Sequence, residues 1–391
     1  MPIVNRIADF HADLATWRHE IHAHPETAFE EKRTSDFVAA RLQEFGIEVH
    51  RGLAGTGVVG TLKGSRPGNR AIAIRADMDA LHIHERNGHD YVSQNPGKMH
   101  ACGHDGHTTM LLGAARYLAE TRNFTGTVHF VFQPAEENEG GGRVMVADGL
   151  FDKFPVEAVY GMHNWPGMPV GTFAMRAGPM MASFDIFEIT VKGKGTHAAL
   201  PHLGHDPMIA AAHIVTGLQT LVSRNTHPLE SAVVSVTQIH GGDTWNVIPD
   251  EVVLRGTVRS FKTELQDAIE AGIRRVAAGV ASALGTSAEV RYERRYPPTV
   301  NSERETEIAA AIAAEVVGDG NVNRSLTPTM GSEDFAFMLQ AKPGCYVFIG
   351  NGTGDKAIGL HNPHYDFNDE ILPIGASYWA RLVERTLVKA A

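Results

Sequence analysis

The stretch Ala71-Ile-Ala-Ile-Arg-Ala-Asp-Met-Asp79 decides the reading of this chain. An uninterrupted apolar run this short, Ala71 to Ile74, is the mark of a strand covered on both faces, as in parallel sheets flanked by helices. It passes directly into a charged turn. Val58 to Leu62, Thr127 to Phe132, Val156 to Gly161 and Tyr346 to Gly350 have the same form. Helical periodicity lies before and between them. Ile7, Phe10, Leu14, Trp17 and Ile21 recur three or four apart and stop at the Pro25 turn; further helices are expected over Glu30 to Phe45 and Thr108 to Glu120. The expected fold class is therefore α/β, with a central, largely parallel mixed sheet flanked by helices.

The pattern changes at about Phe184. Strands are expected over Phe184 to Val191, Ala232 to His240, Val252 to Ser260 and Ser287 to Tyr292, with helices over Ile209 to Val222 and Glu264 to Leu284. This is a β-α-β-β-α-β unit. The first domain still needs the Tyr346 to Gly350 strand, so the unit is an insertion: a first domain from residues 1–182 and 297–391, and an inserted α+β domain over 183–296. A length of 391 residues agrees with two domains, since single cores stop growing near roughly 250 to 300 residues.

Composition narrows the function. The net charge is −10 and no Lys/Arg run occurs, which argues against a nucleic-acid partner, because phosphate binding needs clustered positive charge. No apolar run is long enough for a membrane span. Cysteine appears only at Cys102 and Cys345, too few for a disulfide framework, and the N-terminus carries no signal-type apolar stretch. A cytoplasmic protein with a small-molecule or peptide substrate is expected. The 21 histidines, many in short polar clusters, point to metal chemistry.

Ligands of open α/β sheets sit beyond the carboxyl ends of the strands. The residues following each expected strand converge on one chemistry: Asp77 and Asp79; Glu136 and Glu137; His163; and His361 with His364. The loop Met99-His-Ala-Cys-Gly-His-Asp-Gly-His107 adds a thiol and three imidazoles. Taken singly, Asp77 and Asp79 read equally as turn and cap residues, and Glu136-Glu137 as an acidic helix start. A Cys and three His within eight residues is harder to place in a core, since imidazoles buried together need partners. Thiolate, imidazole and carboxylate together suit transition ions, Mn, Zn, Co or Ni, rather than calcium or magnesium. Two such ions activate water and polarise a carbonyl, and a neighbouring carboxylate that is not a ligand can serve as general base. Glu136 and Glu137 supply such a pair.

With Arg75-Ala-Asp-Met-Asp-Ala-Leu81, Gln133-Pro-Ala-Glu-Glu137, Gly161-Met-His-Asn164 and Gly359-Leu-His-Asn-Pro-His364 added to the Cys/His loop, the chain resembles, over essentially its whole length, the di-metal aminoacylase, hippurate hydrolase and indole-acetyl amino-acid hydrolase family of metallopeptidases. Its Cys-Gly-His form is similar to the amidohydrolase branch with a cysteine ligand. The resemblance implies Cys102, His104, Glu137, His163 and His361 as ligands of two divalent ions, Glu136 as general base, and Asp79 as the residue that orients a ligand. It implies hydrolysis of N-acyl amino acids to a carboxylic acid and a free amino acid. A di-metal aminopeptidase or dipeptidase, or a catalytically silent metal-containing binding protein, are the alternatives.

The insertion resembles the family's lid and dimerisation domain, which implies a homodimer or homotetramer. In Gly193-Lys-Gly-Thr-His-Ala-Ala-Leu-Pro-His202 the resemblance marks His197 as an oxyanion donor, and it suggests Asn246 and Arg259 as substrate contacts. Read without it, His197 could belong to a plain hairpin and Arg259 could be a strand-end charge. His82 stands where relatives often carry proline. His82, His84 and His89 are read as a solvated polar loop and left outside the site.

Overall fold

The computed structural model describes residues 4–388. The chain divides into two compact units: Met1–Met180 with Val300–Thr327 and Asp334–Ala391, and Met181–Thr299 with Pro328–Glu333.

The larger unit is built on an eight-stranded sheet. From one edge its strands are Glu48–Leu53, Gly57–Lys63, Thr125–Gln133, Arg66–Asp77, Ala158–Pro166, Gly344–Gly352, Phe173–Ala174 and Val322–Asn323. The four in the centre are mutually parallel; Gly57–Lys63 joins them antiparallel on one side, and on the other Phe173–Ala174 runs antiparallel to Gly344–Gly352 and parallel to Val322–Asn323. Burial explains the sequence pattern. Ile72, Ile74, Val128, Phe130 and Phe132 are sealed, as expected of strands with helices on both sides. Register then sets the geometry of the site. Asp77 lies opposite Gln133 and Arg75 opposite Gly161, so the turns leaving these parallel strands emerge at one edge of the sheet.

The helix His104–Thr121 runs from that edge, nearly every residue of its first three turns buried. It packs against the C-terminal helix Leu372–Thr386, where a Cβ on Gly375 would fall 2.1 Å from Met110 Sδ. Any side chain there would have to displace the Met110 thioether. The N-terminal periodicity yields two helices, Asn5–Asp9 and His11–His22, and not one. At Phe10 the N–H bonds the Ile7 carbonyl, a three-residue closure that ends the first helix.

The smaller unit holds a four-stranded antiparallel sheet in the order Ala232–His240, Glu251–Ser260, Phe184–Lys192, Ser287–Tyr296. Burial alternates along Phe184–Lys192 and Glu251–Ser260, because only one face is covered, by the helices Pro207–Ser223 and Thr263–Ala283. Asp206 caps the first of these helices by accepting from the Met208 N–H. Among the described residues no helix is long and apolar enough to cross a membrane.

Candidate metal centre

Arg75 is the base on which the site stands. Its fully buried guanidinium donates to Asp77 Oδ2 at 2.7 Å, Gln133 Oε1 at 2.8 Å and Asp334 Oδ1 at 2.9 Å. Asp334 Oδ2 in turn accepts from the Gly142 N–H at 2.7 Å. One cation thus ties the ends of two strands to the loop that carries Glu136 and Glu137. A second buried carboxylate holds that loop from the other side: Glu31 accepts from the backbone N–H groups of Phe29 and Ala135 and from the Thr56 hydroxyl. Ala135 has a φ of +56°, and the two anchors hold it there. Burial first, and then the charge of Asp79, push the Glu31 carboxyl up to about 7.

Within this frame the expected ligands gather. The ligand atoms of Cys102, His104 and His163 lie within 4.8 Å of one another, as do those of Cys102, Glu137 and His361, and those of His104, Glu136 and Glu137. Cys102 Sγ is 3.3 Å from His163 Nε2, and His361 Nε2 is 3.1 Å from Glu137 Oε1. His361 reaches this position with a φ of +63°, its own N–H donating to the Ala101 carbonyl.

Hydrogen bonds fix the tautomers. His104 Nδ1 lies 2.9 Å from the Asp79 carbonyl and 3.2 Å from Asp79 Oδ1, so its proton sits on Nδ1 and Nε2 keeps a lone pair. That Nε2 is buried and has no hydrogen-bond partner. His163 Nδ1 donates to the Asn164 carbonyl at 2.6 Å, which frees its Nε2 in the same way. His107 differs. Its Nδ1 donates to Asp77 Oδ1 at 2.6 Å and its Nε2 accepts the Asn164 N–H at 2.9 Å, so both nitrogens are already used.

The electrostatics call for a cation. Burial pushes the Cys102 thiol well up, and Glu137 and Glu136 add to the shift. A thiolate there requires compensating positive charge. Burial, then the neighbouring His107, drives His163 well down, toward the neutral imidazole that a metal binds. Burial opposes charge on His104, but Asp77 and Asp79 outweigh it and raise the group to about 10, so its surroundings favour positive charge at this position. A deprotonatable thiol, freed imidazole nitrogens and an orphaned buried Nε2 fit a binuclear transition-metal centre.

Glu136 is buried beside the cluster and accepts from the Asp334 N–H at 3.4 Å. In the smaller unit, His197 and Asn246 lie at a short two-stranded antiparallel sheet: His197 pairs with Val247, and the Asn246 carbonyl accepts the Ala198 N–H. Arg259 donates to Ser332 Oγ at 2.8 Å and lies over the face of Phe184.

Glu31, His107, Asp77 and Asp334 shape the site but are absent from the ligand set expected from sequence. Glu31 reads as one charge in Glu30-Glu31-Lys32, with no sign of its burial. His107 carried a signal in the Cys/His loop, and only the hydrogen bonds show that its nitrogens are spent.

A model of the peptidase family M20/M25/M40 matches residues 73–385. The chain is 40% identical to a hippurate hydrolase from Campylobacter jejuni, covering 99% of this chain and 100% of that one. It is 42% identical to an N-acetylcysteine deacetylase from Bacillus subtilis, covering 95% and 96%. A solved dinuclear metal-binding peptidase of the M20 family from Bacillus subtilis superposes with a TM-score of 0.85 at 37% identity, covering 97% of this chain and 99% of that one.

Proposed function

Because the chain belongs to the peptidase family M20/M25/M40, we propose that the Cys/His/Glu cluster is the active centre of a metal-dependent amidohydrolase that splits N-acyl amino acids into a carboxylic acid and a free amino acid. The observation that carries this reading is a pair of adjacent carboxylates at the cluster: Glu137 lies with His361 and Cys102, while Glu136, within reach of His104 and Glu137, also accepts from the Asp334 N–H. Cys102, His104, Glu137, His163 and His361 would hold divalent transition-metal ions, which would supply Lewis acidity toward the scissile carbonyl and make an attacking water more acidic.

The chain's own groups do the rest. Glu136 takes a proton from the water as its oxygen attacks the carbonyl carbon, and returns it to the amine nitrogen as the C–N bond breaks. Asp79 keeps the His104 lone pair aimed at the cluster. In the smaller unit, His197 Nδ1 accepts the Ala199 N–H at 3.0 Å, so a neutral ring carries its proton on Nε2, as an oxyanion donor must. We assign that role to His197, and substrate contacts to Asn246 and Arg259. The edge strand Ala232–His240, with Val233 and Ile239 exposed, is the surface we assign to homo-oligomer formation.

Amine release from N-acetyl, N-benzoyl and indole-acetyl amino acids, with free dipeptides alongside, tests the reading on protein stripped of metal and reloaded with Mn, Zn, Co or Ni. Metal-dependent release from the acylated set is expected. Release from the dipeptides alone would make the protein a peptidase, and silence across the panel with metal bound would remove the enzymatic reading.

A further inference from the structure

A second group of ligand-type side chains lies outside that centre and shares no residue with it. His22 ends the helix His11–His22 and is fully buried, the Glu85 side chain is 4% exposed, and His89 is half-buried. Their ligand atoms all fall within 4.8 Å of one another. His22 Nε2 is 3.1 Å and His89 Nε2 3.3 Å from the same oxygen, Glu85 Oε1.

His22 is braced as metal-binding imidazoles usually are. Its Nδ1 lies 2.8 Å from Asp105 Oδ2, and Asp105 is itself anchored by Arg18 Nη1 at 3.2 Å. A carboxylate on Nδ1 fixes the proton there and leaves a lone pair on Nε2. A lone pair facing a carboxylate at 3.1 Å is repulsive, so a second proton or a cation must lie between His22 and Glu85.

The other imidazoles distinguish the two. Both ring nitrogens of His89 are buried and lack a hydrogen-bond partner, because the 3.3 Å approach to Glu85 is poorly aligned. Tyr91 stacks on the ring with centroids 3.8 Å apart, which holds it in place. His100 is also buried, unpartnered at both nitrogens, with its ring 6.2 Å from that of His22. A proton on His22 satisfies His22 and Glu85, but leaves His89 Nδ1 without a partner and His89 Nε2 with only its off-line approach to Glu85 at 3.3 Å. A cation among the three satisfies His89 as well.

We propose that His22, Glu85 and His89 form a further cation site, distinct from the catalytic centre, that takes a zinc-class divalent ion and pins the segment after Leu81 to the N-terminal helix. Two imidazoles and one carboxylate match the borderline-soft donor set of Zn(II) or Co(II), with water or His100 completing four-coordination. The absence of a thiolate separates it from the Cys102 centre. The site does not depend on the amidohydrolase reading.

The test uses the full chain loaded with Co(II), with metal content per chain and the absorption spectrum as readouts. His89→Gln is expected to bind one ion fewer than the wild type, to lose only part of the visible d–d absorption, and to keep both the near-ultraviolet thiolate-to-cobalt band of Cys102 and the amide hydrolysis. Glu85→Gln should behave alike, and Cys102→Ala should lose the thiolate band while retaining the ion that His89→Gln loses. Equal metal content in the wild type, His89→Gln and Glu85→Gln would overturn the proposal and leave a proton as the bridge between His22 and Glu85. Wild-type content limited to the two ions expected of the Cys102 centre would overturn it as well, without recourse to any variant.

Discussion

Asp79 grips His104 Nδ1 with two oxygens, its carbonyl at 2.9 Å and Oδ1 at 3.2 Å, while its Oδ2 accepts the Glu137 N–H at 2.9 Å. One side chain therefore orients one expected ligand and positions the backbone of another. Removing such a partner typically lowers metal affinity about 10- to 100-fold. Asp79→Ala should show that loss in a chelator competition, and excess metal should restore part of the activity. Unchanged affinity would reduce Asp79 to a packing residue.

Gly103 separates two expected ligands, Cys102 and His104, with a φ of +91°. A Cβ there would lie 2.2 Å from Asn164 Nδ2 and 2.6 Å from Tyr365 OH. Gly103→Ala thus combines a disfavoured backbone with a collision against two buried polar groups. We expect a stability loss of at least about 1–3 kcal/mol in urea unfolding, accompanied by weaker metal binding. Wild-type values for both would mean that the turn relaxes freely.

Arg75 is the shared partner of Asp77 and Asp334, and all three side chains are fully buried. Arg75→Met leaves those carboxylates without their cation. Breaking a buried pair from one side costs about 3–5 kcal/mol. Denaturation of the metal-free protein should register a loss of that size, and a loss below about 1 kcal/mol, typical of surface pairs, would contradict it.

His129 is buried on the strand Thr125–Gln133, and burial lowers it from 6.5 to about 4. Between those values the unfolded chain binds a proton that the folded chain refuses. Its contribution to stability is therefore complete above pH 6.5 and is lost as pH falls toward 4, with a slope approaching about 1.4 kcal/mol per pH unit. His129→Gln, which can still meet Thr61 Oγ1, should flatten the acid limb of a stability-versus-pH curve over that window. An acid limb as steep as the wild type's would assign the proton uptake to other groups.

The sheet was legible because its central strands are apolar without interruption, and the turns after them carry the chemistry. Strand and helix ends were less so. Arg66–Asp77 begins before Ala71 with exposed polar residues that give no apolar signal, and Ser287–Tyr296 runs past Tyr292 through Glu293, Arg294 and Arg295. The helix His104–Thr121 starts within the Cys/His loop, four residues before Thr108, because polar side chains serving a site mask the apolar period. The expected ligands could be read from loop composition, whereas the supports could not. Glu31 and Asp334 act through burial and through partners more than a hundred residues away. His89 reads as part of a solvated loop with His82 and His84; those two are exposed, but His89 is turned inward against Glu85 and Tyr91.

The most direct test of the central claim is the rate of amine release from an N-acyl amino acid by Glu136→Gln protein whose metal content has been measured to equal that of the wild type. If Glu136 moves the proton, the variant should retain its ions and lose hydrolysis by at least about 100-fold, the scale of a general base. Wild-type turnover in the fully loaded variant would contradict the assignment and place the proton transfer on another group of the site.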